Sequence, residues 1–350
     1  MSDYLNEELI FEIFIRLPPK SLLRFRSLSK SLCSFISSPH FIRMHTFRSP
    51  KKLLIQHQTY DNEDFYTLHS EDQIPLNPRR GYIRTTPVKA PYLKYSIIVG
   101  TCNGIFCLFD YQENHISLWN FSIRRKITLP DCPSRCFSGV QIGFGFDPIT
   151  NDYKIVKLPT YGGKEESSFV YTIKTNAWSE IASPTPTFHE VLLNACFVNG
   201  VLHWVVERHY NNLHDVERFY ILKFDLGTLV FDMITLPEPS SKTAGLTSVR
   251  GSLAVISGDC DGSWIWVRRD ASWNVVYKMK RKHLFDGGLL SVVQFTTNGD
   301  LLLLCEGFQI YNPKIGVPLR LVDFSYHSFI VGTEICVETL QLFDVATATS

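Results

Sequence analysis

The sequence predicts a small all-α region of three short helices at the N-terminus, followed by an all-β domain, β-propeller-like with about six blades. Three observations support this prediction. Apolar residues recur at helical spacing within residues 5–41. From Lys51 onward, short apolar runs of strand length are separated by Gly, Asn, Asp and Pro. In this second part, a unit of one tight turn and one apolar strand recurs at intervals of roughly 50 residues.

Residues suited to begin or end helices divide the N-terminal region. They are Asn6 followed by Glu7 and Glu8, the pair Pro18-Pro19, Ser29, and Ser38-Pro39. Asn and Ser side chains accept hydrogen bonds from the first N–H groups of a helix, and acidic residues there interact favourably with the helix dipole. A proline pair ends one helix and opens the next, because the residue before a proline disfavours the α conformation.

The first helix carries more apolar residues than one buried face requires. These residues are Leu9, Ile10, Phe11, Ile13, Phe14, Ile15 and Leu17. They cover most of the circumference, and such a helix needs cover on more than one side. Since about forty residues rarely form a stable fold alone, we infer that one side packs on the other helices and another binds a second protein. A helical cap on the following domain is the alternative.

This region resembles an F-box of the plant type in the residues LxxELIxEIxxRLPxKSLLRFRxLSKS followed by ISSPxF. The resemblance implies binding to a SKP1-type adaptor, and through it to the cullin and the RING protein of a ubiquitin ligase. The positions implied to contact the adaptor are Leu5, Leu9, Ile10, Ile13, Leu17, Pro18, Leu22, Leu23, Phe25 and Arg26. The chain departs from the family pattern at Leu5-Asn6, where Leu-Pro is usual, and around Ser31-Leu32, where a tryptophan is frequent.

Five turns define the repeat of the second part. They are Asn103-Gly104, Asn151-Asp152, Asn199-Gly200, Arg250-Gly251 and Asn298-Gly299, each followed by an apolar strand. Asn, Asp and Gly supply the positive φ angles that tight hairpins need. Four-stranded units of this kind cover their faces by stacking in a ring, whereas a sandwich would not require the period. The strands at 329–331 and 335–340 are expected to close the ring.

The second part also resembles the F-box-associated domain of plant F-box proteins, taken as kelch-like. The strings that carry the resemblance are TCNGIFCL, ISLWNFSIRRKITLP, GFGFDPITNDYKIVKL, VYTIKTNAWSEI and VNGVLHWVV. The chain departs from that family at Phe121, where proline is frequent. The expected domains are 1–46 for the F-box, 47–343 for the β domain and 344–350 for a tail. The resemblance implies that the β domain recruits a protein target, without identifying it.

The composition is that of a globular chain, with 45% hydrophobic residues, 20% charged residues and a net charge of +1. These values exclude a disordered chain and a coiled coil, and the small net charge gives no reason to expect nucleic acid or a membrane as a partner. The N-terminus MSDYLNEEL is acidic where a signal peptide would be basic. The nine cysteines are scattered through apolar segments, which favours a reducing compartment, the cytoplasm or the nucleus.

Signals for catalysis or metal binding are weak. Residues 143–147 (GFGFD) resemble part of a dinucleotide loop but lack its third glycine and its helix, and we interpret them as a strand with packing glycines. Cys132 and Cys136 lack a second ligand pair, and His189-Glu190 lacks the second histidine of a metalloprotease helix. His203-Trp204 is interpreted as packing. We therefore expect no catalytic residue, no metal and no cofactor.

Two classes of function are compatible with the sequence. The first is the substrate-recognition subunit of an SCF-type ubiquitin ligase, built on SKP1, a cullin and an F-box protein, which is not itself an enzyme. The second is a propeller enzyme of glycoside hydrolase or oxidase type, with acids or metal ligands converging in the central channel. In the first class, contacts with the protein target are expected in segments of irregular length, at Tyr161, His209, Tyr210 and Asp261.

Overall fold

The computed structural model describes residues 6–60, 64–70, 86–88, 96–133, 139–161, 167–184, 187–192, 194–208, 218–237, 243–258, 262–280, 291–295, 301–305, 307–312, 318–320 and 328–342. The described chain begins with four short helices, α1 (Glu7–Phe14), α2 (Pro19–Arg26), α3 (Lys30–Ile36) and α4 (Pro39–Arg48). The predicted number of three is therefore corrected to four. The Ser38-Pro39 pair begins a complete helix, in which Ser38 Oγ accepts a hydrogen bond from Phe41 N at 3.3 Å.

The other helix starts are formed by the residues that the sequence singles out. Asn6 Oδ1 accepts a hydrogen bond from Glu8 N at 3.2 Å, and Ser29 Oγ accepts one from Leu32 N at 3.1 Å. Helix α2 begins with Pro19, as expected for a residue whose missing N–H costs no hydrogen bond at that position. Among the described residues, no helix is long and apolar enough to span a membrane.

The described strands form six antiparallel sheets. In chain order, the first three sheets hold β1 (Lys52–Thr59), β2 (Asp64–Ser70) and β3 (Thr86–Val88); β4 (Ser96–Cys102), β5 (Ile105–Asp110), β6 (His115–Asn120) and β7 (Arg125–Thr128); and β8 (Val140–Asp147), β9 (Asp152–Pro159), β10 (Ser168–Thr172) and β11 (Ala177–Ile181). The next three hold β12 (Glu190–Val191), β13 (Cys196–Val198), β14 (Val201–Arg208), β15 (Arg218–Asp225) and β16 (Val230–Thr235); β17 (Thr243–Val249), β18 (Ser252–Gly258), β19 (Gly262–Arg269) and β20 (Ser272–Lys280); and β21 (Ser291–Phe295), β22 (Leu301–Cys305), β23 (Gly307–Tyr311) and β24 (Pro318–Arg320). The last strand, β25 (Ser328–Cys336), returns to the first sheet and pairs with β1.

The sheets are arranged around a ring. Contacts between one strand of each sheet run from β25 to β4, then through β8, β13, β17 and β21, and back to β25. This arrangement confirms the predicted propeller architecture. The ring is closed by the pairing of β25 with β1, from Lys52 opposite Cys336 to Thr59 opposite Ser328. One continuous strand, β25 (Ser328–Cys336), replaces the two strands expected at 329–331 and 335–340, and residues 337–340 are not part of a strand.

The ring has two ends, which the strand order distinguishes. Helix α4 leads into β1 at Lys52, and the Asn103-Gly104 turn lies beside the carbonyl of Val337 at the same end. We call this the helix-proximal end. The residues that follow β1, β5, β9, β14, β18 and β22 lie at the opposite end, which we call the helix-distal end. With eight residues, β1 separates the two ends by roughly 25 Å at about 3.3 Å per residue.

Positive φ angles occur at the helix-proximal turns, where the repeat predicts them. The φ angles are 49° at Asn103, 53° at Asn151, 48° at Asn199 and 50° at Arg250. Asparagine tolerates this region better than most residues with a side chain. The fifth predicted turn, Asn298-Gly299, lies outside the described residues.

The glycines of β8 allow neighbouring sheets to approach closely, which confirms their interpretation as packing glycines. A Cβ atom on Gly143 would lie 2.6 Å from Trp204 Cζ2 and 2.8 Å from Leu202 Cδ1 in the next sheet. Trp204 and Leu202 are fully buried. The contact between the third and fourth sheets therefore depends on the absence of a side chain at this position.

Gly143→Ala is expected to lower the free energy of unfolding by about 1–3 kcal/mol, because the added methyl group must displace Trp204 from a filled core. The matched control is Gly100→Ala, since no heavy atom lies within 4 Å of a Cβ atom at that position. This control should change stability by less than about 0.5 kcal/mol or raise it slightly. Urea unfolding of both variants measures the difference, and equal losses would contradict the packing role of Gly143.

Two buried histidines share one hydroxyl group in the first sheet. His57 Nε2 lies 2.7 Å, and His69 Nε2 lies 2.9 Å, from Thr67 Oγ1. Burial lowers the pKa of both histidines to about 4, and for His57 the neighbouring His69 adds to the effect. Both side chains are therefore neutral in the folded chain at neutral pH.

His69 is expected to lower the free energy of unfolding progressively as the pH falls from about 6.5 toward 4. In that window His69 binds a proton in the unfolded chain and not in the folded chain, which gives a slope of about 1.4 kcal/mol per pH unit. His69→Gln should remove this slope. Other groups titrate in the same window in both proteins: burial lowers the pKa of His57 and of His203 to about 4, which adds to the slope, and raises the pKa of Glu334 to about 7, which opposes it. The contribution of His69 is therefore the difference between the two slopes. Thermal midpoints measured from pH 4.5 to 7.5 give the two slopes, and parallel slopes would refute the assignment.

Candidate protein-binding surface

Helix α1 presents two large apolar side chains to solvent. Leu9 is 53% exposed and Ile13 is 50% exposed. Their spacing of four residues puts them on one side of the helix, and we call this pair the α1 face. On a neighbouring position, the Glu12 carboxylate forms exposed ion pairs with Arg16 Nη2 at 2.9 Å and with Arg48 Nη1 of α4 at 3.4 Å, which add little stability because they face solvent.

The ten positions implied by the F-box resemblance differ in burial. Leu9, Ile13 and Pro18 are exposed; Ile10, Leu17, Leu23, Phe25 and Arg26 are half-buried; Leu22 is buried; and Leu5 lies outside the described residues. Eight of the ten therefore keep surface that a partner can contact. Their contact with an adaptor stays a prediction.

Leu22 is among the positions implied to contact the adaptor, but it has no exposed surface in this structure. Its side chain is fully buried in the core shared by the helices. Neighbouring helical residues point about 100° apart, so Leu22 faces the core whereas Leu23 is half-buried. A dense apolar motif does not by itself separate residues that hold the helices together from residues that face a partner.

The core beneath this surface is aromatic. Phe11 packs edge-to-face on Phe41 with ring centroids 5.6 Å apart, and the rings of Phe14 and Phe25 lie 5.0 Å apart. Helices of seven to ten residues are not stable alone in water. These contacts between helices therefore hold the α1 face in a fixed shape.

Residues 337–342, which we call the C-terminal strap, bring the propeller into the helical core. Leu340 is 1% exposed and belongs to that core together with Ile123 of the turn between β6 and β7. Thr339 Oγ1 lies 2.7 Å from Thr46 Oγ1 of α4. The helices thus pack on the propeller through the strap, and the α1 face is left uncovered.

The second sheet holds the strap by its backbone. Asn120 Nδ2 donates hydrogen bonds to the carbonyl oxygens of Thr339 at 3.1 Å and Gln341 at 2.9 Å. Ser122 Oγ accepts a hydrogen bond from Thr339 N at 3.1 Å. The buried Asn120 therefore satisfies two carbonyl groups that would otherwise lose hydrogen bonds on burial.

The sequence patterns do not single out two exposed apolar residues near the helices. Leu28 is 69% exposed in the turn before α3, and Phe47 is 84% exposed near the end of α4. The signal for Phe47 is its spacing from Arg43. A charged arginine is expected to face solvent, and a residue four positions later lies on the same side of the helix, so Phe47 faces solvent too.

The structure describes one of the four positions predicted to contact a target. Tyr161 is 47% exposed at the helix-distal end, after β9, and forms a β-bridge with Glu190. His209, Tyr210 and Asp261 lie outside the described residues, so these three remain predictions.

A group of three potential ligands beside Tyr161 is not predicted by the sequence. The ligand atoms of His189, Glu190 and Glu207 lie within 4.8 Å of one another, and His189 Nδ1 is 4.0 Å from Glu207 Oε2. Pairing of β12 with β14 sets Glu190 directly opposite Glu207. Because the two strands are separated by β13, sequence spacing gives no sign of the group.

The other chemical signals in the sequence are structural. Asp147 forms a buried ion pair with Lys154 at 2.8 Å. His203 Nδ1 lies 3.2 Å from the carbonyl oxygen of Cys196, and burial lowers the pKa of His203 to about 4. With Trp204 fully buried, the packing interpretation of the His203-Trp204 pair is confirmed. Cys136 lies outside the described residues.

Comparison with known families agrees with both resemblances. A model described as the F-box associated beta propeller domain matches residues 52–314, and a model described as the F-box domain matches residues 3–44. This chain belongs to the F-box-associated β-propeller family. The matched description does not mention kelch repeats, so the kelch-like label stays an expectation.

Relatives in Arabidopsis thaliana have F-box names. At1g32420, named as a candidate F-box protein, is 28% identical over 282 residues, which cover 75% of this chain and 85% of that protein. At3g16210, named in the same way, is 30% identical over 241 residues, or 68% of this chain and 62% of that protein. F-box protein At2g21930 is 26% identical over 293 residues, or 78% of this chain and 70% of that protein.

Leu340→Ala is expected to loosen the F-box helices from the propeller, because it leaves a cavity in their shared core. Buried Leu→Ala changes cost about 2–5 kcal/mol, so limited trypsin digestion should cut the helical region several times faster than in the wild type. Leu28→Ala is the matched control, since Leu28 is 69% exposed in the same region. The strap has no anchoring role if Leu340→Ala is digested no faster than Leu28→Ala.

Proposed function

We propose that this chain is the non-catalytic substrate-recognition subunit of an SCF-type E3 ubiquitin ligase. Its F-box helices dock on a SKP1-type adaptor, which joins them to a cullin and a RING protein, and its propeller recruits a protein target for ubiquitination. The observation that carries the proposal is the uncovered α1 face within the region that matches the F-box. Exposed apolar side chains on a fixed helical surface are typical of a protein-binding site.

The proposed mechanism is geometric. The adaptor binds the helices, and the target binds the helix-distal end, roughly 25 Å away along β1. Holding a target at a fixed place raises its effective concentration near the ubiquitin-carrying enzyme, without chemistry in this chain. The C-terminal strap supports this mechanism, because it limits motion between the helices and the propeller.

We also propose that this protein acts in the cytoplasm or the nucleus. Ubiquitin ligases of this type act in the cytoplasm or the nucleus, and a reducing compartment fits the cysteines. In the part of the chain that the structure describes, six cysteines form no disulfide: Cys33, Cys102, Cys107, Cys132, Cys196 and Cys336. Burial raises the pKa of Cys102 and Cys196 to about 12, so these thiols act as small core residues.

Ile13→Asp is expected to weaken binding to a purified SKP1-type adaptor by about 30-fold or more, because a charge replaces an apolar contact at the centre of the proposed interface. Ile13 is half exposed, so the propeller and the helices should stay folded. Leu22→Asp would be uninformative, since burial of the new charge would unfold the helices. Biolayer interferometry measures the affinity.

Val230→Asp is the matched control for this test. Val230 is 58% exposed on β16, in the outer part of the propeller, and its substitution should leave adaptor binding unchanged. Circular dichroism should show the same thermal midpoint for both variants to within a few degrees. Adaptor binding that survives Ile13→Asp in a folded protein rules out docking through the α1 face.

A further inference from the structure

His45 of α4 donates a hydrogen bond to the corner between α1 and α2. Its Nε2 atom lies 2.9 Å from the carbonyl oxygen of Leu17, a residue 28 positions away in the chain. A carbonyl oxygen can only accept a hydrogen bond, so Nε2 carries the ring proton. His45 is 4% exposed and stacks on the ring of Phe41 with centroids 6.1 Å apart. The donor therefore lies inside the helical core and not on its surface.

The proline pair leaves the Leu17 carbonyl without a backbone donor. The two prolines have no N–H, and the N–H groups of Ser21 and Leu22 both bond to the Pro18 carbonyl, at 2.9 and 3.2 Å. In the part of the chain that the structure describes, the bond from His45 is the only hydrogen bond that Leu17 O accepts. Leaving a partly buried carbonyl without a donor costs stability. The corner therefore depends on a side chain from α4.

The corner, residues 15–18, joins the two helices that carry the predicted adaptor contacts. Leu17 and Pro18 are among these positions themselves, and Pro18 is exposed. The angle at the corner sets how the α1 face stands relative to Leu23 and Phe25 of α2. Two helices of eight residues do not hold such an angle by themselves. A donor that fixes the corner therefore also fixes the shape of the surface on both helices.

The next residue of α4 makes the contact with the propeller. Thr46 Oγ1 lies 2.7 Å from Thr339 Oγ1 of the C-terminal strap, whereas His45 bonds to the corner. Successive helical residues point about 100° apart, so one turn of α4 holds the corner on one side and the strap on another. The F-box match ends at residue 44 and the propeller match begins at residue 52. His45 and Thr46 thus lie between the two matched regions.

We propose that His45 is a positioning residue for adaptor binding. Its hydrogen bond to Leu17 O holds the corner in the shape that the adaptor recognises. This inference rests on the proposed function, because it assigns a supporting residue to the same docking surface. The buried side chain of His45 touches no partner itself and acts through Leu17.

His45→Gln and His45→Asn separate the hydrogen bond from the ring. Both changes remove the stacking on Phe41, but only the glutamine amide nitrogen reaches as far along the side chain as Nε2. His45→Asn is expected to weaken binding to a purified SKP1-type adaptor by about tenfold or more, because Leu17 O loses its donor. His45→Gln should stay within about threefold of the wild type. Biolayer interferometry on the full chain measures both, and equal affinities of the two variants overturn the proposal.

Thr46→Val is the matched control for a general loss of stability. It removes the hydrogen bonds of Thr46 Oγ1 with Ile42 O and Thr339 Oγ1, one residue away from His45 on the same helix, and leaves the corner intact. Adaptor affinity should stay within about threefold of the wild type, although the thermal midpoint falls. A loss of affinity as large as that of His45→Asn overturns the proposal, because destabilised helices would then explain both results.

The wild type supplies a measurement that does not depend on the folding of a variant. If the His45 bond favours adaptor binding, adaptor binding must favour the bond by the same factor. NMR on protein with isotope-labelled histidine should therefore show exchange of the His45 Nε2 proton slowing by about tenfold in the adaptor complex. An unchanged exchange rate overturns the proposal and leaves the adaptor role standing. Absence of adaptor binding by the wild type overturns the proposed function, and this inference with it.

Discussion

The return of the chain end to its beginning is the constraint on which the rest of the structure depends. β25 pairs with β1 along its length, so the last described strand and the first strand complete one sheet. Such pairing joins residues almost three hundred positions apart and carries a large loop-closure cost. The C-terminal strap follows at once, and it continues the same closure into the helical core through Leu340. Ring closure and helix docking are therefore two results of one chain path.

This path fixes the relation between the α1 face and the helix-distal end of the propeller. The helices are tied to the second sheet through Thr46, Thr339 and Asn120, and the strands of the propeller separate them from the helix-distal end. A target held at one end and an adaptor at the other can keep a constant separation only if the body between them is stiff. The hydrogen bonds between neighbouring turns, such as Asn199 Nδ2 to Gly251 O at 2.7 Å, add to this stiffness.

Sequence reasoning succeeds where the signal is local and fails where it depends on distant contacts. The Asn6 and Ser29 caps and the positive-φ turns at Asn103, Asn151, Asn199 and Arg250 are each set by a few neighbouring residues, and the structure has them as predicted. The inward position of Leu22, the strap and the Glu190–Glu207 pair depend on contacts that the chain makes only after folding. The F-box pattern located the helical surface, but burial was needed to divide its residues between core and partner.

The α1 face and the helical core behind it are both apolar, but burial gives them different roles. Leu9 and Ile13 are exposed, whereas Leu22 and Leu340 are buried in the core that joins the helices to the propeller. Exposed apolar side chains are typical of a protein-binding surface. Helices this short are not stable alone, so the shape of the α1 face depends on the buried core, to which the C-terminal strap contributes.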